Sequence, residues 1–209
     1  LKQKGPDGSV ILELNPQTFE YEERKKLKTP AVEMAKQQKG TKNKVKTLIV
    51  QKGDKASDFL WNVMKSTLLY AAELLGEIAD DIIQIDNAMK WGFGWELGPF
   101  ETWDAIGVQK SVERMKEEGE SIPDWIEKFL HEGHESFYQY KNGNVFYYDE
   151  GTYKQVDFND KEIHIKRLKE TNGVIKKNSG ASLIDIGDGV ALLEFTSPNN
   201  SIGLDVIQM

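Results

Sequence analysis

The stretch that decides the fold class is residues 58–80, DFLWNVMKSTLLYAAELLGEIAD. Apolar or small residues recur in it at spacings of three and four, namely Leu60, Val63, Thr67, Ala71, Leu74 and Ile78. Met64, Leu68 and Leu75 form a second apolar row. This spacing predicts a helix covered on two sides. Ser57 or Asp58 is placed to cap its first turn.

Further helices are expected on the C-terminal side of this stretch. The pattern predicts one helix over Asp81–Lys90, one that opens at Pro99, and another over Val108–Glu118. Pro123 then opens a helix that ends at Gly133, because proline suits a first helical turn and glycine suits a helix end. We therefore interpret residues 30–135 as a helical domain.

Strands are expected on both sides of the helices. The turn signal Gly5-Pro6-Asp7-Gly8 precedes an apolar run and predicts a hairpin in residues 1–21. A second hairpin joins Phe137–Tyr140 to Val145–Tyr148, and a third joins 182–186 to 190–195. We place the domain boundary near residues 133–137. The chain is thus divided into a hairpin tail and linker (1–29), a helical domain (30–135) and a β part (136–209).

Composition excludes several classes of protein. With 39% hydrophobic residues the chain can bury a core, and no apolar run has the roughly 20 residues of a membrane helix. Cysteine is absent, so disulfides and thiolate zinc sites are excluded, and we predict a cytoplasmic protein without a membrane partner. The chain opens with Leu1 and ends inside an apolar stretch, from which we expect an excised piece of a longer protein.

The formal charge of −7 is unevenly spread. Residues 22–46 carry a net charge of +6, from nine basic and three acidic residues. Such a segment could bind nucleic acid, but aromatic residues do not interleave with its lysines beyond Tyr21. We favour a solvated, lysine-rich helix and linker, and we expect no nucleic-acid partner.

Two short motifs suggest chemistry, and each has a simpler explanation. His131 and His134 are three residues apart across Gly133, whereas a zinc helix places its histidines four apart, so we expect no metal site. His164 is interpreted as a solvent-facing strand position. The stretch 92–98, GFGWELG, is close to the dinucleotide fingerprint, but a helix precedes it and its last spacer is too long. A tight turn that packs aromatic rings explains it better.

A family resemblance is carried by three consecutive blocks. They are Ile85-Asp86-Asn87-Ala88-Met89, then the block 92–100 (GFGWELGPF), and then Asp104-Ala105-Ile106-Gly107. In order and spacing they resemble the C-terminal domain of 3-hydroxyacyl-CoA dehydrogenases. Glu96 departs from the family, which has proline there.

The C-terminal part resembles the start of the crotonase (enoyl-CoA hydratase) fold. Residues 189–195 are similar to its second strand, and residues 197–205 to the loop and helix entry that follow. The resemblance implies that the backbone of Asn199, Asn200 and Ser201 lies near the adenine of coenzyme A.

Together the two resemblances imply a fused dehydrogenase and hydratase of fatty-acid β-oxidation. The expected fold is mainly α, with a helical dehydrogenase-type domain followed by a small, incomplete crotonase-like β segment. The resemblance implies NAD as cofactor of the parent protein and acyl-CoA as its substrate, with the NAD site and the catalytic residues outside this chain. No family catalytic residue maps onto this sequence, so we expect the isolated chain to be inactive and to hold no cofactor of its own.

Two further expectations concern interactions. The second apolar row of residues 58–80 needs a cover, and we expect a homodimer through the faces that hold Leu68, Leu75 and neighbouring aromatic residues. Alternatively, segment 22–46 folds back over this row with Ala31, Val32, Met34 and Ala35 inward. The rival functional hypothesis is a non-catalytic helical protein-interaction module.

Overall fold

The computed structural model describes residues 1–5, 8–26, 28–157, 162–171 and 173–209. The chain divides into two compact units, Leu1–Asn62 and Val63–Met209, and the division falls inside a long helix.

The first unit opens with an antiparallel sheet. Strands β1 (Lys2–Gly5), β2 (Gly8–Leu14) and β3 (Tyr21–Glu23) pair in that order. The predicted hairpin is confirmed by the Gly5–Gly8 register, although Pro6 and Asp7 of its turn lie outside the described residues. Strand β3 was not predicted.

Two helices follow in the lysine-rich segment, α1 (Pro30–Lys36) and α2 (Thr41–Val50). Thr29 caps α1 by accepting a hydrogen bond from the Val32 amide at 3.4 Å, and Pro30 occupies the first helical position, which suits proline. Ala31 and Ala35 are buried, whereas the inward position predicted for Met34 is wrong because its side chain is 48% exposed.

The long helix α3 spans Lys55–Glu73, so both predicted ends need correction. It starts earlier because the Asp54 side chain, rather than Ser57 or Asp58, accepts hydrogen bonds from the Ala56 and Ser57 amides at 2.9 and 3.2 Å. It ends seven residues before Asp80. Gly76 has φ +85°, and its amide bonds to the Ala79 carbonyl at 2.8 Å, so the chain turns there and does not continue as a helix.

The two apolar rows predicted along this helix are only partly buried. Leu68 is fully buried within the chain, whereas Val63 and Ile78 are 51% and 64% exposed. The predicted dimer face therefore cannot include Leu68, because this side chain is already covered. Leu75 is half-buried in the turn after α3.

The next four helices follow the predicted order. They are α4 (Ile82–Phe93), α5 (Pro99–Ile106), α6 (Val108–Glu117) and α7 (Asp124–His131). Helix α4 runs three residues beyond the predicted end, to a C-cap at Gly94 whose φ of +68° is left-handed.

A cluster of aromatic rings forms the centre of the second unit. Phe137 packs against Phe100, Trp103, Trp125 and Phe129 with ring centroids 4.8–5.8 Å apart. The boundary expected near residues 133–137 stays a prediction. In the structure, the ring of Phe137 packs against rings of residues that precede this boundary, such as Phe100 and Phe129.

The first sheet of this unit contains β4 (Tyr138–Lys141), β5 (Asn144–Asp149) and β6 (Thr152–Gln155). Its predicted hairpin is confirmed, because Asn142 and Gly143 both have positive φ, as a type I′ turn requires. Strand β6 was not predicted.

The C-terminal part contains a second small sheet. Its described elements are α8 (Ile165–Glu170), β7 (Val174–Lys177), β8 (Ala181–Asp185), β9 (Ala191–Phe195), a 3-10 turn (Pro198–Asn200) and α9 (Leu204–Ile207). The hairpin of β8 and β9 is confirmed. The strand position predicted for His164 is wrong, since His164 is the N-cap residue of α8.

Along the chain, helices occupy the middle and small antiparallel sheets precede and follow them, so the predicted class "mainly α" understates the strands. Among the described residues, every helix is too short or too polar to cross a membrane.

Candidate functional site

A buried carboxylate in helix α4 organises the glycine-rich turn that follows the helix. Asp86 is fully buried on the face that also carries Ile82 and Ile85. Its two oxygens accept hydrogen bonds from the Phe100 amide at 2.8 Å and the Glu101 amide at 3.0 Å. These amides are the second and third of helix α5 and have no partner inside that helix. Asp86 thus caps α5 from a neighbouring helix.

Gly98 explains why a remote residue has to supply this cap. It is the N-cap residue of α5 and has no side chain to accept those bonds. A Cβ atom at Gly98 would lie 2.3 Å from Cγ of Asp86, so a side chain and the buried carboxylate cannot coexist there. Glu101 completes the turn by accepting a hydrogen bond from the Gly98 amide at 3.0 Å.

Two carboxylates hold the start of the β4–β5 hairpin against these helices. The Tyr138 hydroxyl donates to Asp86 at 2.9 Å. Asp104 of helix α5 accepts hydrogen bonds from the Phe137 amide at 2.7 Å and the Tyr138 amide at 2.9 Å. Tyr138 is therefore fixed at both its backbone and its hydroxyl.

Burial dominates the electrostatics of this cluster. It raises the pKa of Asp86 to about 7, although the hydrogen bonds from Phe100, Tyr138 and Glu101 favour the charged form. Burial, with the nearby Asp86 carboxylate, also raises the pKa of Tyr138 far above its usual range. The pKa of Tyr140 rises to about 12 through burial and the charge of Glu101.

A cavity of about 440 Å³ lies beside the cluster. One wall is a face of helix α4, formed by Ile83, Asn87, Lys90 and Trp91. The opposite wall comes from the hairpin residues Tyr138, Tyr140 and Val145. Lys90 and Glu101 of helix α5 both line the cavity, and the Lys90 ammonium group forms an ion pair with the Glu101 carboxylate at 3.2 Å. The volume falls within the range of small-molecule sites.

Comparison with known proteins gives this arrangement a family context. Residues 60–148 match the C-terminal domain of 3-hydroxyacyl-CoA dehydrogenases. The chain is also 61% identical over 203 residues to a probable 3-hydroxyacyl-CoA dehydrogenase of Bacillus subtilis (strain 168). That alignment covers 97% of this chain but only 26% of the relative, so the chain spans about a quarter of the relative's length. No solved structure matches the chain.

The residues that carry the dehydrogenase resemblance are those that build the cluster. Asp86 caps α5, Gly98 makes room for Asp86, and Asp104 holds the hairpin. Gly107, with φ +93°, separates α5 from α6. The residues that carry the resemblance therefore have a structural role in the chain, in joining helices α4 and α5 to the hairpin.

The residues predicted to lie near coenzyme A are in the 3-10 turn that precedes helix α9 and in the C-cap residue of that turn. Asn199, Asn200 and Ser201 are exposed, and both asparagines have left-handed backbone conformations. The Asn200 amide bonds to the Ser197 carbonyl at 3.0 Å, and the Ser201 amide to the Pro198 carbonyl at 3.2 Å. The amides of Asn200 and Ser201 are thus used within the turn, and a coenzyme role for this segment stays a prediction.

The other motifs lie in packed or exposed positions. His131 is exposed, while the His134 ring packs against Phe129 and Tyr148 at 5.4 and 5.1 Å. Across the described part of the chain, no three metal-binding side chains come together. The glycine-rich stretch begins inside helix α4, as its helical context predicted.

Sequence reasoning missed the buried pair of Asp86 and Tyr138. One signal was present, since Asp86 interrupts an apolar helix face that Ile82 and Ile85 define. A charged residue on such a face needs buried partners. Its partners are 14 and 52 residues away along the chain, and no local pattern identifies them.

Proposed function

We propose that this chain is the C-terminal helical part of an NAD-dependent 3-hydroxyacyl-CoA dehydrogenase of fatty-acid β-oxidation. The main support is the family match over residues 60–148, together with the contacts that its motif residues make in the structure. The name of the Bacillus subtilis relative agrees with this activity.

In this proposal the chain binds and positions the substrate but does not carry the reacting groups. The reaction removes a hydride from C3 of the hydroxyacyl chain and a proton from its hydroxyl, and gives the 3-oxoacyl thioester. NAD accepts the hydride in a separate nucleotide-binding domain, and acyl-CoA is the substrate. The aromatic cluster and the α4–α5 turn would supply a rigid wall for the acyl chain and contacts between domains.

We further propose that the parent protein is cytoplasmic and carries an enoyl-CoA hydratase domain after the dehydrogenase part. The order of β8, β9, the 3-10 turn and helix α9 agrees with the crotonase resemblance. In that arrangement Asn199, Asn200 and Ser201 would lie near the adenine of coenzyme A.

The proposal is tested by comparing the 209-residue chain with the product of its full open reading frame. With 3-hydroxybutyryl-CoA and NAD, the full protein should form NADH and the isolated chain should not. Gly98→Val in the full protein should reduce turnover by disturbing the turn beside Asp86. Absence of NADH formation by the folded full protein, or turnover by the isolated chain, would contradict the proposal.

A second candidate is a helical protein-interaction module, favoured by two exposed aromatic side chains at the end of α4. Trp91 and Phe93 are 80% and 75% exposed. Exposed aromatic residues are typical anchors of protein interfaces. If the full open reading frame encodes no strand followed by a G-x-G-x-x-G turn, this candidate replaces the dehydrogenase.

A further inference from the structure

The cavity beside Asp86 presents two hydrogen-bond donors one helical turn apart. Asn87 and Lys90 are both on the face of α4 that lines it. Within the part of the chain that the structure describes, the side-chain amide of Asn87 forms no hydrogen bond. Lys90 contacts Glu101 at 3.2 Å, and an ammonium group has three N–H donors, so others are left for a ligand.

The rest of the lining selects for an uncharged ligand with an apolar body. Among the described lining residues, three carboxylates (Glu101, Asp157 and Glu162) outnumber the basic side chains of Lys90 and His164, so an anionic ligand would be disfavoured. Apolar surface comes from Ile83, Val145 and Val156. A ligand that accepts hydrogen bonds without a negative charge satisfies both conditions.

We propose that this cavity binds an uncharged, carbonyl-bearing chain. Its carbonyl oxygen would lie between the side-chain amide of Asn87 and the Lys90 ammonium group. Amides and thioesters share this chemistry. The choice of probes rests on the proposed function, because an acyl-CoA substrate contains both groups, the amides in its pantetheine arm and the thioester at its acyl end.

The hairpin wall of the cavity is anchored before a ligand enters. Tyr138 is held by Asp86 at its hydroxyl and by Asp104 at its backbone, and Tyr140 lies two residues further along the same strand face. Val145 is directly opposite Tyr140 in the hairpin register and lines the same cavity. A site with rigid walls loses little conformational entropy on binding.

The test is a direct binding measurement on the 209-residue chain, followed through the indole N–H signal of Trp91 in NMR spectra. Trp91→Phe assigns the signal. The probes are pantetheine as the amide, S-methyl thiobutyrate as the thioester and butyrate as the anionic control. Pantetheine or the thioester should shift the signal in a saturable manner, and the probe that binds more tightly identifies the source of the carbonyl.

Two variants probe the site and one serves as a control. Asn87→Leu removes a donor and should weaken binding about tenfold, the effect of losing about 1.4 kcal/mol. Val145→Trp should fill the cavity and abolish binding, which keeps the test valid if Asn87→Leu fails to fold. Ala88→Leu, at an exposed position of the same helix, should bind as the wild type does.

Three results would overturn the proposal. They are no saturable shift with either neutral probe, tighter binding of butyrate, and unchanged affinity in folded Asn87→Leu or Val145→Trp. These outcomes are independent of NADH formation by the full protein. A failure of this site is therefore distinguishable from a failure of the dehydrogenase proposal.

Discussion

Asp86 and Gly98 form one structural feature although they are twelve residues apart. Helix α5 is capped by a side chain from helix α4, and this works only because the N-cap position has no side chain of its own. The two residues should therefore be replaceable only together, since either substitution alone leaves a steric clash or uncapped amides.

Gly98→Ala should lower the free energy of unfolding by about 1–3 kcal/mol, because the new methyl group would overlap Asp86 in a packed interior. Chemical denaturation measures this. Gly92→Ala is the matched control, since Gly92 lies in helix α4 and a methyl group there would meet no neighbouring atom within 4 Å, and it should be neutral or stabilising. Equal effects of the two substitutions would contradict the close approach.

Asp86 should also make stability depend on pH. Burial raises its pKa to about 7, whereas a carboxyl group in an unfolded chain has a pKa of about 4. The folded state therefore binds this proton more tightly. The stability that comes from binding this proton is fully present below a pH of about 4 and is lost as the pH rises to about 7.

The measurement compares the wild type with Asp86→Asn by thermal unfolding across this pH range. Asparagine cannot ionise, so the difference in stability between the two proteins should change between pH about 4 and 7 and be constant above it. The variant should also be less stable throughout, because its amide nitrogen faces N–H and O–H donors. A difference that is constant with pH would show that Asp86 does not titrate in this range.

At the scale of elements, one helix residue holds the backbone of the hairpin where it begins. Asp104 accepts two amide hydrogen bonds from residues 137 and 138, where the chain enters β4. Asp104→Ala would leave both amides without this partner, and losing bonds to a charged acceptor costs about 1.5–3 kcal/mol each.

The Asp104→Ala change should therefore loosen the hairpin locally. In hydrogen-exchange measurements, amides of 137–148 should lose protection while those of helix α6 keep it. The control is Asp149→Ala at the far end of β5, where the carboxylate pairs with Lys154, and it should leave residues 137 and 138 protected. Uniform loss of protection in both variants would argue against a local attachment.

Local signals in the sequence predicted many of the elements, and the failures have a physical cause. Proline at residue 99 and the Asn142-Gly143 pair act through their own backbone preferences, so helix α5 and the hairpin were predictable. The end of α3 was not, because the apolar periodicity continues past Gly76, where the backbone turns. The cluster around Asp86 depends on contacts between distant residues, which periodicity does not encode.

At the scale of the whole molecule, the exposed side chains determine how copies of the chain can associate. The homodimer expected from the sequence stays a proposal, but its contact face changes because Leu68 is buried. Tyr70, which is on the same helix and is 62% exposed, is the aromatic residue near that position that a partner could cover. Two-fold pairing of identical faces is the commonest form of association.

If the chain forms this dimer, Tyr70→Lys should dissociate it, because two lysines would be brought together near the symmetry axis in place of two apolar rings. Light scattering over a series of concentrations measures the mass. Gln109→Lys is the control, since it replaces another uncharged, exposed side chain with lysine, in helix α6, and it should leave the mass unchanged. A monomeric wild type at high concentration would remove the dimer, and a dimeric Tyr70→Lys variant would place its interface elsewhere.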